Sequence, residues 1–219
     1  MLRRALVFGL ASFLLSTVAD AGGTAAKSPW REEMIWRLRI DDRLASLFAV
    51  CPADVAGRRA ARKTAVAAAA TPDCERDPVA CHERCAARDG DACLSLAQTL
   101  EAERPALPTH YWKSVYTAAC ELGEASGCTN RASALRNLDD ADPLDSAAEP
   151  AANCEYRSFR YACAHEDAWG CAMLGQALMN GEGVAADASQ AKAMVRKTCA
   201  IAPDFEACEF ARRLDASTQ

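Results

Sequence analysis

The stretch Cys171-Ala-Met-Leu174-Gly175-Gln-Ala-Leu178-Met-Asn180-Gly181-Glu-Gly183-Val184-Ala-Ala-Asp187 decides the fold class. Leu174 and Leu178 fall three and seven positions after Cys171, on one face of a helix. The run Asn180-Gly181-Glu182-Gly183-Val184 turns the chain, because glycine enters the left-handed conformation that ends a helix without a Cβ penalty. Beyond the turn, Ala191, Val195 and Thr198 lead up to Cys199 on one face of a second helix. The unit is helix A, turn, helix B.

The same unit recurs upstream. Leu96 and Leu100 follow Cys93 as Leu174 and Leu178 follow Cys171, and Trp112, Tyr116 and Ala119 precede Cys120. The cysteines carry the period. Cys85 and Cys93, Cys120 and Cys128, and Cys163 and Cys171 are spaced C-x7-C, and Cys199 and Cys208 add one residue. The first members lie 35, 43 and 36 residues apart, near the period of about 34 typical of helix-turn-helix repeats. The long interval contains Asp139 to Pro150, rich in Asp, Ala and Pro, which reads as a longer loop inside one repeat. The expectation is an all-α chain: a short α-solenoid of antiparallel helix pairs over residues 74–219, cross-linked by disulfides. Hydrophobic residues make up 51 % but aromatics only 6 %, so the interior packs through alanine, leucine and other small or medium side chains. Alanine at this abundance favours helices over strands.

Residues 22–73 form an N-terminal segment before the repeats. Trp30 to Val50 places Met34, Leu38, Leu44 and Phe48 at near-helical spacing, and Ser28-Pro29 suits a helix start. This helix either packs against the repeats or caps them. Ala56 to Ala70, alanine-rich with Arg58, Arg59, Arg62 and Lys63, reads equally as an exposed helix or a linker. Residues 1–21 read as a secretory signal: Arg3 and Arg4, an apolar run from Ala5 to Ala19, and the small-x-small site Ala19-Asp20-Ala21. The apolar run falls short of the roughly 20 residues that span a bilayer. Its removal takes away two arginines and one aspartate, moving the net charge from −5 to −6. An acidic chain is a poor general binder of nucleic acid.

The segment from Trp169 to Asp187, continuing through Ala191, Lys197, Thr198 and Cys199, resembles a Sel1-like repeat, and the C-x7-C pairs are similar to those of the cysteine-rich subgroup of exported bacterial proteins. The resemblance covers residues 81 to 214. The earlier repeats depart from it: Arg131 stands where Leu96 and Leu174 stand, and the Leu-Gly and Gly-x-Gly elements are missing. The resemblance implies an α-solenoid whose helices A line a concave side that holds peptide or protein segments. It also implies β-lactam binding or hydrolysis as an alternative activity, since some cysteine-rich relatives carry that assignment.

Twelve cysteines, an even number, suit an oxidising compartment such as the periplasm or the exterior. Two pairings compete. In one, each link closes on itself: Cys85–Cys93, Cys120–Cys128, Cys163–Cys171 and Cys199–Cys208. In the other, Cys93–Cys120, Cys128–Cys163 and Cys171–Cys199 close the mouth of each helix pair and strand Cys85 and Cys208. The first uses all eight. Cys74 and Cys81 make a further C-x6-C pair, leaving Cys51 and Cys154 to join the N-terminal segment to the repeats. No C-x-x-C occurs and only His82, His110 and His165 are present, so neither a structural metal nor a redox dithiol is expected. No cofactor is expected.

Catalytic signals are weak. Ser189-Gln-Ala-Lys192 matches S-x-x-K, the nucleophile element of serine β-lactamases, but neither S-D-N nor K-T-G follows. His165, beside Glu166 and Asp167, reads as a solvated loop residue. The function expected is an exported module that binds a protein or peptide. Its candidate contacts are the polar positions of helices A: Ser95, Gln98, Asn130, Arg131 and Gln176.

Overall fold

The computed structural model describes residues 30–59, 73–103, 107–136, 142–146 and 151–216. The signal segment 1–21, the leader and most of the alanine-rich stretch lie outside these residues. The described residues are helical and contain no strand. In chain order the helices are α1 (Arg31–Ile40), α2 (Asp42–Leu47), α3 (Pro52–Val55), α4 (Pro78–Ala86), α5 (Gly90–Ala102), α6 (Thr109–Glu121), α7 (Ala125–Ser133), α8 (Ala151–Ala164), α9 (Ala168–Asn180), α10 (Ala188–Ile201) and α11 (Glu206–Ala216). Short 3-10 turns cover Ala134–Arg136 and Pro143–Ser146.

Three helix pairs make up the array: α5 with α6, α7 with α8, and α9 with α10, each helix packing on the next in sequence. α4 precedes the first pair, and α11 closes the last against α9 and α10. The boundaries follow from local chemistry. Asp77, Asp89, Asp167 and Asp187 each accept the backbone N–H three residues on, capping α4, α5, α9 and α10. Gly181, at φ 75°, ends α9 in the left-handed region and donates its N–H to the Ala177 carbonyl.

The bridges are Cys85–Cys93, Cys120–Cys128, Cys163–Cys171 and Cys199–Cys208, each joining one helix to the start of the next. Cys74–Cys81 and Cys51–Cys154 complete the set, with no free thiol. The four link bridges hold Cα atoms 4.4 to 4.7 Å apart. Such proximity needs small neighbours: a Cβ at Gly127 would lie 2.8 Å from Ala119 Cβ, and one at Gly170 only 2.6 Å from Ala162 Cβ. Three of the four links share a backbone device, which the Cys199–Cys208 link lacks. Arg88, Gly123 and Glu166, each three residues after the first cysteine, take φ of 74°, 97° and 63°. The acid that follows, Asp89 or Asp167, caps the next helix.

The N-terminal segment differs from the single helix expected over Trp30–Val50. Asp41 breaks it, with φ −85° and ψ 86°, because its carboxylate accepts the Leu44 N–H and starts α2. The two halves then do different things. α1 lies against α4, with Arg37 paired to Glu83 and His82 beside Asp41. α2 packs on α6, and α3 on α6, α7 and α8. Every residue of α6 from Tyr111 to Glu121 is consequently buried. Met34, Leu38, Leu44 and Leu47 join Leu96, Leu100, Trp112 and Tyr116 in one core cluster. A second cluster, around Phe159, Leu174, Leu178 and Ala191, joins the later pairs.

The long loop of the second repeat is partly drawn inward. Asp142 and Leu144 are buried, Leu144 beside Cys51, Leu135 and Cys154.

Candidate partner-binding face

α5, α7 and α9 correspond to the three helices A. Positions two and five residues after their cysteines lie at the edge of the core or outside it, Met173 packing against the cluster around Phe159 and Leu174. The first row is Ser95, Asn130 and Met173; the second is Gln98, Ser133 and Gln176. Gln98 is exposed and the others are half-buried. Five of the six side chains are uncharged hydrogen-bonding groups.

Arg136, at the end of the turn after α7, joins this face to the last repeat. Its guanidinium donates to Glu155 at 2.6 Å, to the Gln176 side-chain oxygen at 2.7 Å and to Glu182 at 2.7 Å. It also lies over the Phe159 ring, 5.5 Å from the centroid. Gln176 is therefore oriented by its oxygen, leaving its amide N–H groups directed elsewhere. Nothing local in the chain marks Arg136, because its partners lie 19, 40 and 46 residues away.

Arg131 does not belong to the face. It is fully buried, as the leucines at its equivalent positions are. Its Nη2 donates to Asp142 Oδ1 at 2.9 Å and to the Phe48 carbonyl at 3.0 Å. Lys113 Nζ, equally buried, lies 3.1 Å from Asp142 Oδ2. Burial pushes the Asp142 carboxyl up, but the hydrogen bond and charge of Arg131 outweigh it and hold its pKa below the ordinary carboxylate value. A cation at a leucine position folds inward because the long loop supplies its counter-ion.

The other sequence candidates are accounted for in place. Ser189 is exposed on the first turn of α10, and Lys192 lies 3.8 Å from Asp215. His165 is exposed, stacked on Tyr161 with centroids 4.1 Å apart. His82 is nearly buried and His110 packs between Phe48 and Tyr111; burial lowers the pKa of both. Among the described residues no group of three or more His, Cys, Asp or Glu is arranged to hold a metal ion. No described helix is long and apolar enough to cross a membrane.

No family model matches the sequence, and no curated protein matches it. Among solved structures, the chain is similar to cysteine rich protein B of Helicobacter pylori. The TM-score is 0.47 at 19 % identity, over 62 % of this chain and 95 % of that one.

Proposed function

We propose that this chain is an exported helical-repeat module that binds a segment of a protein or peptide along α5, α7 and α9. The observation that carries the reading is the recurrence of polar, uncharged side chains at equivalent positions of the three helices A: one row on all three, the other on α5 and α7. Ser95 and Asn130 occupy one row, and Gln98, Ser133 and Gln176 the other. Amides and hydroxyls at regular spacing suit a backbone, which offers a donor and an acceptor at every residue. The N-terminal helices cover α6 and leave Gln98 open to solvent.

Export rests on the cysteines. All twelve are bonded, and such density persists in oxidising compartments rather than the cytosol. The periplasm or the exterior is the location proposed, in keeping with the signal read at residues 1–21.

The test is capture from an envelope extract with the oxidised protein as bait, repeated with a Gln98→Ala, Asn130→Ala, Gln176→Ala variant. The expected result is loss of a specific captured protein while circular dichroism shows the fold retained, with a modest drop in melting temperature from the lost Arg136–Gln176 bond. Undiminished capture by the triple variant removes the face from the binding site.

A further inference from the structure

α3 and α8 border an open groove of about 520 Å³ lined by Ala53, Arg157, Arg160, Tyr161 and Ala164. The last four recur at i, i+3, i+4 and i+7 of α8, so one helix face supplies the whole wall. Three contacts fix α3 against that wall. The Cys51–Cys154 bridge ties the elements covalently. The Ala53 N–H donates to Ser158 Oγ at 3.3 Å, and Arg157 Nη1 donates to Asp54 at 2.7 Å. The groove is therefore built in advance of any ligand.

Its chemistry is cationic on an acidic chain. Arg157 is paired with Asp54 and holds the rim of the groove in place. Arg160 is exposed, lies over the Tyr156 ring at 5.7 Å, and makes no ion pair with a described residue. Tyr161 stacks on His165 at an interplanar angle of 27°. Burial, with the charge of Glu124 adding to it, raises the Tyr161 pKa, so its hydroxyl keeps its proton and serves as a donor. The floor, Ala53 and Ala164, offers methyl groups.

We infer that this groove binds a small organic carboxylate carrying a short apolar body. A guanidinium presents a planar fork that matches a carboxylate in two parallel hydrogen bonds. Arg160 holds that fork on an aromatic face. Arg160, which makes no ion pair with a described residue, attracts an anion locally although the chain carries a net charge of −5. The alanine floor and the Tyr161 ring cover the apolar body, which inorganic phosphate lacks. This site shares no residue with the face on α5, α7 and α9, so it stands or falls independently of that reading.

The experiment is calorimetric titration of the full, oxidised chain with benzoate, acetate and inorganic phosphate at low salt. Benzoate binds saturably at one site and more tightly than acetate or phosphate. Arg160→Gln, an exposed position whose loss leaves the melting curve in place, weakens benzoate at least about tenfold. Tyr161→Phe weakens it by a smaller factor, and Gln98→Ala leaves it unchanged. Absence of saturable benzoate binding, equal affinity in Arg160→Gln, or phosphate binding as tightly as benzoate overturns the inference.

Discussion

Removing the Asp142 carboxylate tests why an arginine can occupy a core leucine position. Arg131, Lys113 and Asp142 have side-chain exposures of 0, 0 and 1 %. The carboxylate lies 2.9 Å from one cation and 3.1 Å from the other. At an effective dielectric of about 20, each contact amounts to roughly 5 kcal/mol of attraction, set against the cost of burying three charges. Asp142→Asn leaves two cations in the interior without their shared anion, and losses of this type run to about 3–5 kcal/mol. The Leu144 N–H contact survives the change, because the asparagine Oδ1 still accepts it, so the loss reports the charge. Urea denaturation of the oxidised protein at neutral pH, followed by circular dichroism, measures the loss. The wild-type chain adds a pH signature. The folded Asp142 pKa is depressed below its unfolded value, so its contribution is present above the ordinary carboxylate pKa and lost as pH falls through the folded one. That acid-side component is absent in Asp142→Asn. Replacing all three with Arg131→Leu, Lys113→Met and Asp142→Leu restores an apolar core and comes within about 1–2 kcal/mol of wild type or exceeds it. A cost below about 1 kcal/mol for Asp142→Asn alone refutes the argument, because a buried pair cannot be broken so cheaply.

Three further outcomes are expected. Cys51→Ser with Cys154→Ser opens a loop of 103 residues and costs about 4–5 kcal/mol by loop entropy, against roughly 2.6 for a link bridge such as Cys163–Cys171; equal losses in chemical denaturation contradict this ranking. Glu166 holds φ 63°, so Glu166→Gly relieves a left-handed residue and raises stability by about 0.5–1 kcal/mol, read from the denaturation midpoint. Purified protein does not hydrolyse nitrocefin above background, because Ser189 is exposed to solvent and Lys192 is drawn to Asp215; turnover abolished by Ser189→Ala would show the serine to be a nucleophile.

The helix pairs were legible because their signals are local. Leu174, Leu178 and the Gly181 turn lie within one unit, and the cysteine spacing sets its period. The helix break at Asp41 was less visible: Leu38 and Leu44, six residues apart, slip by about 120° on a single helix, but the spacing alone does not reveal the Asp41 cap that starts a new one. Arg131 shows where pattern reading fails. Its place on helix A was legible, but its direction was not, because the partner that draws it inward comes from a loop outside the repeat pattern. Arg136 was missed for a related reason, since its three acceptors come from different elements. The groove beside α8 was equally hidden: Arg157, Arg160 and Tyr161 are an ordinary polar helix face until the Cys51–Cys154 bridge sets α3 beside them.

That bridge changes what kind of object the array is. Stacked repeats ordinarily touch only their neighbours, so stability is a sum of local terms and each end frays on its own. The link bridges leave that picture intact, because each joins consecutive helices and restricts only a short loop. Cys51–Cys154 does not. It connects the segment covering α6 to the second helix of the next pair, across 103 residues. Asp142 lies close to the same junction, with Arg131 and Lys113 on one side and Leu144 packed on the bridge itself. The covalent tie and the buried charges thus act on one interface, between the first and second pairs. This is also the repeat with Arg131 at the leucine position and with the long loop. The departure from the repeat pattern at Arg131 is therefore one half of a joint whose other half is the insert, and either half alone would destabilise the array.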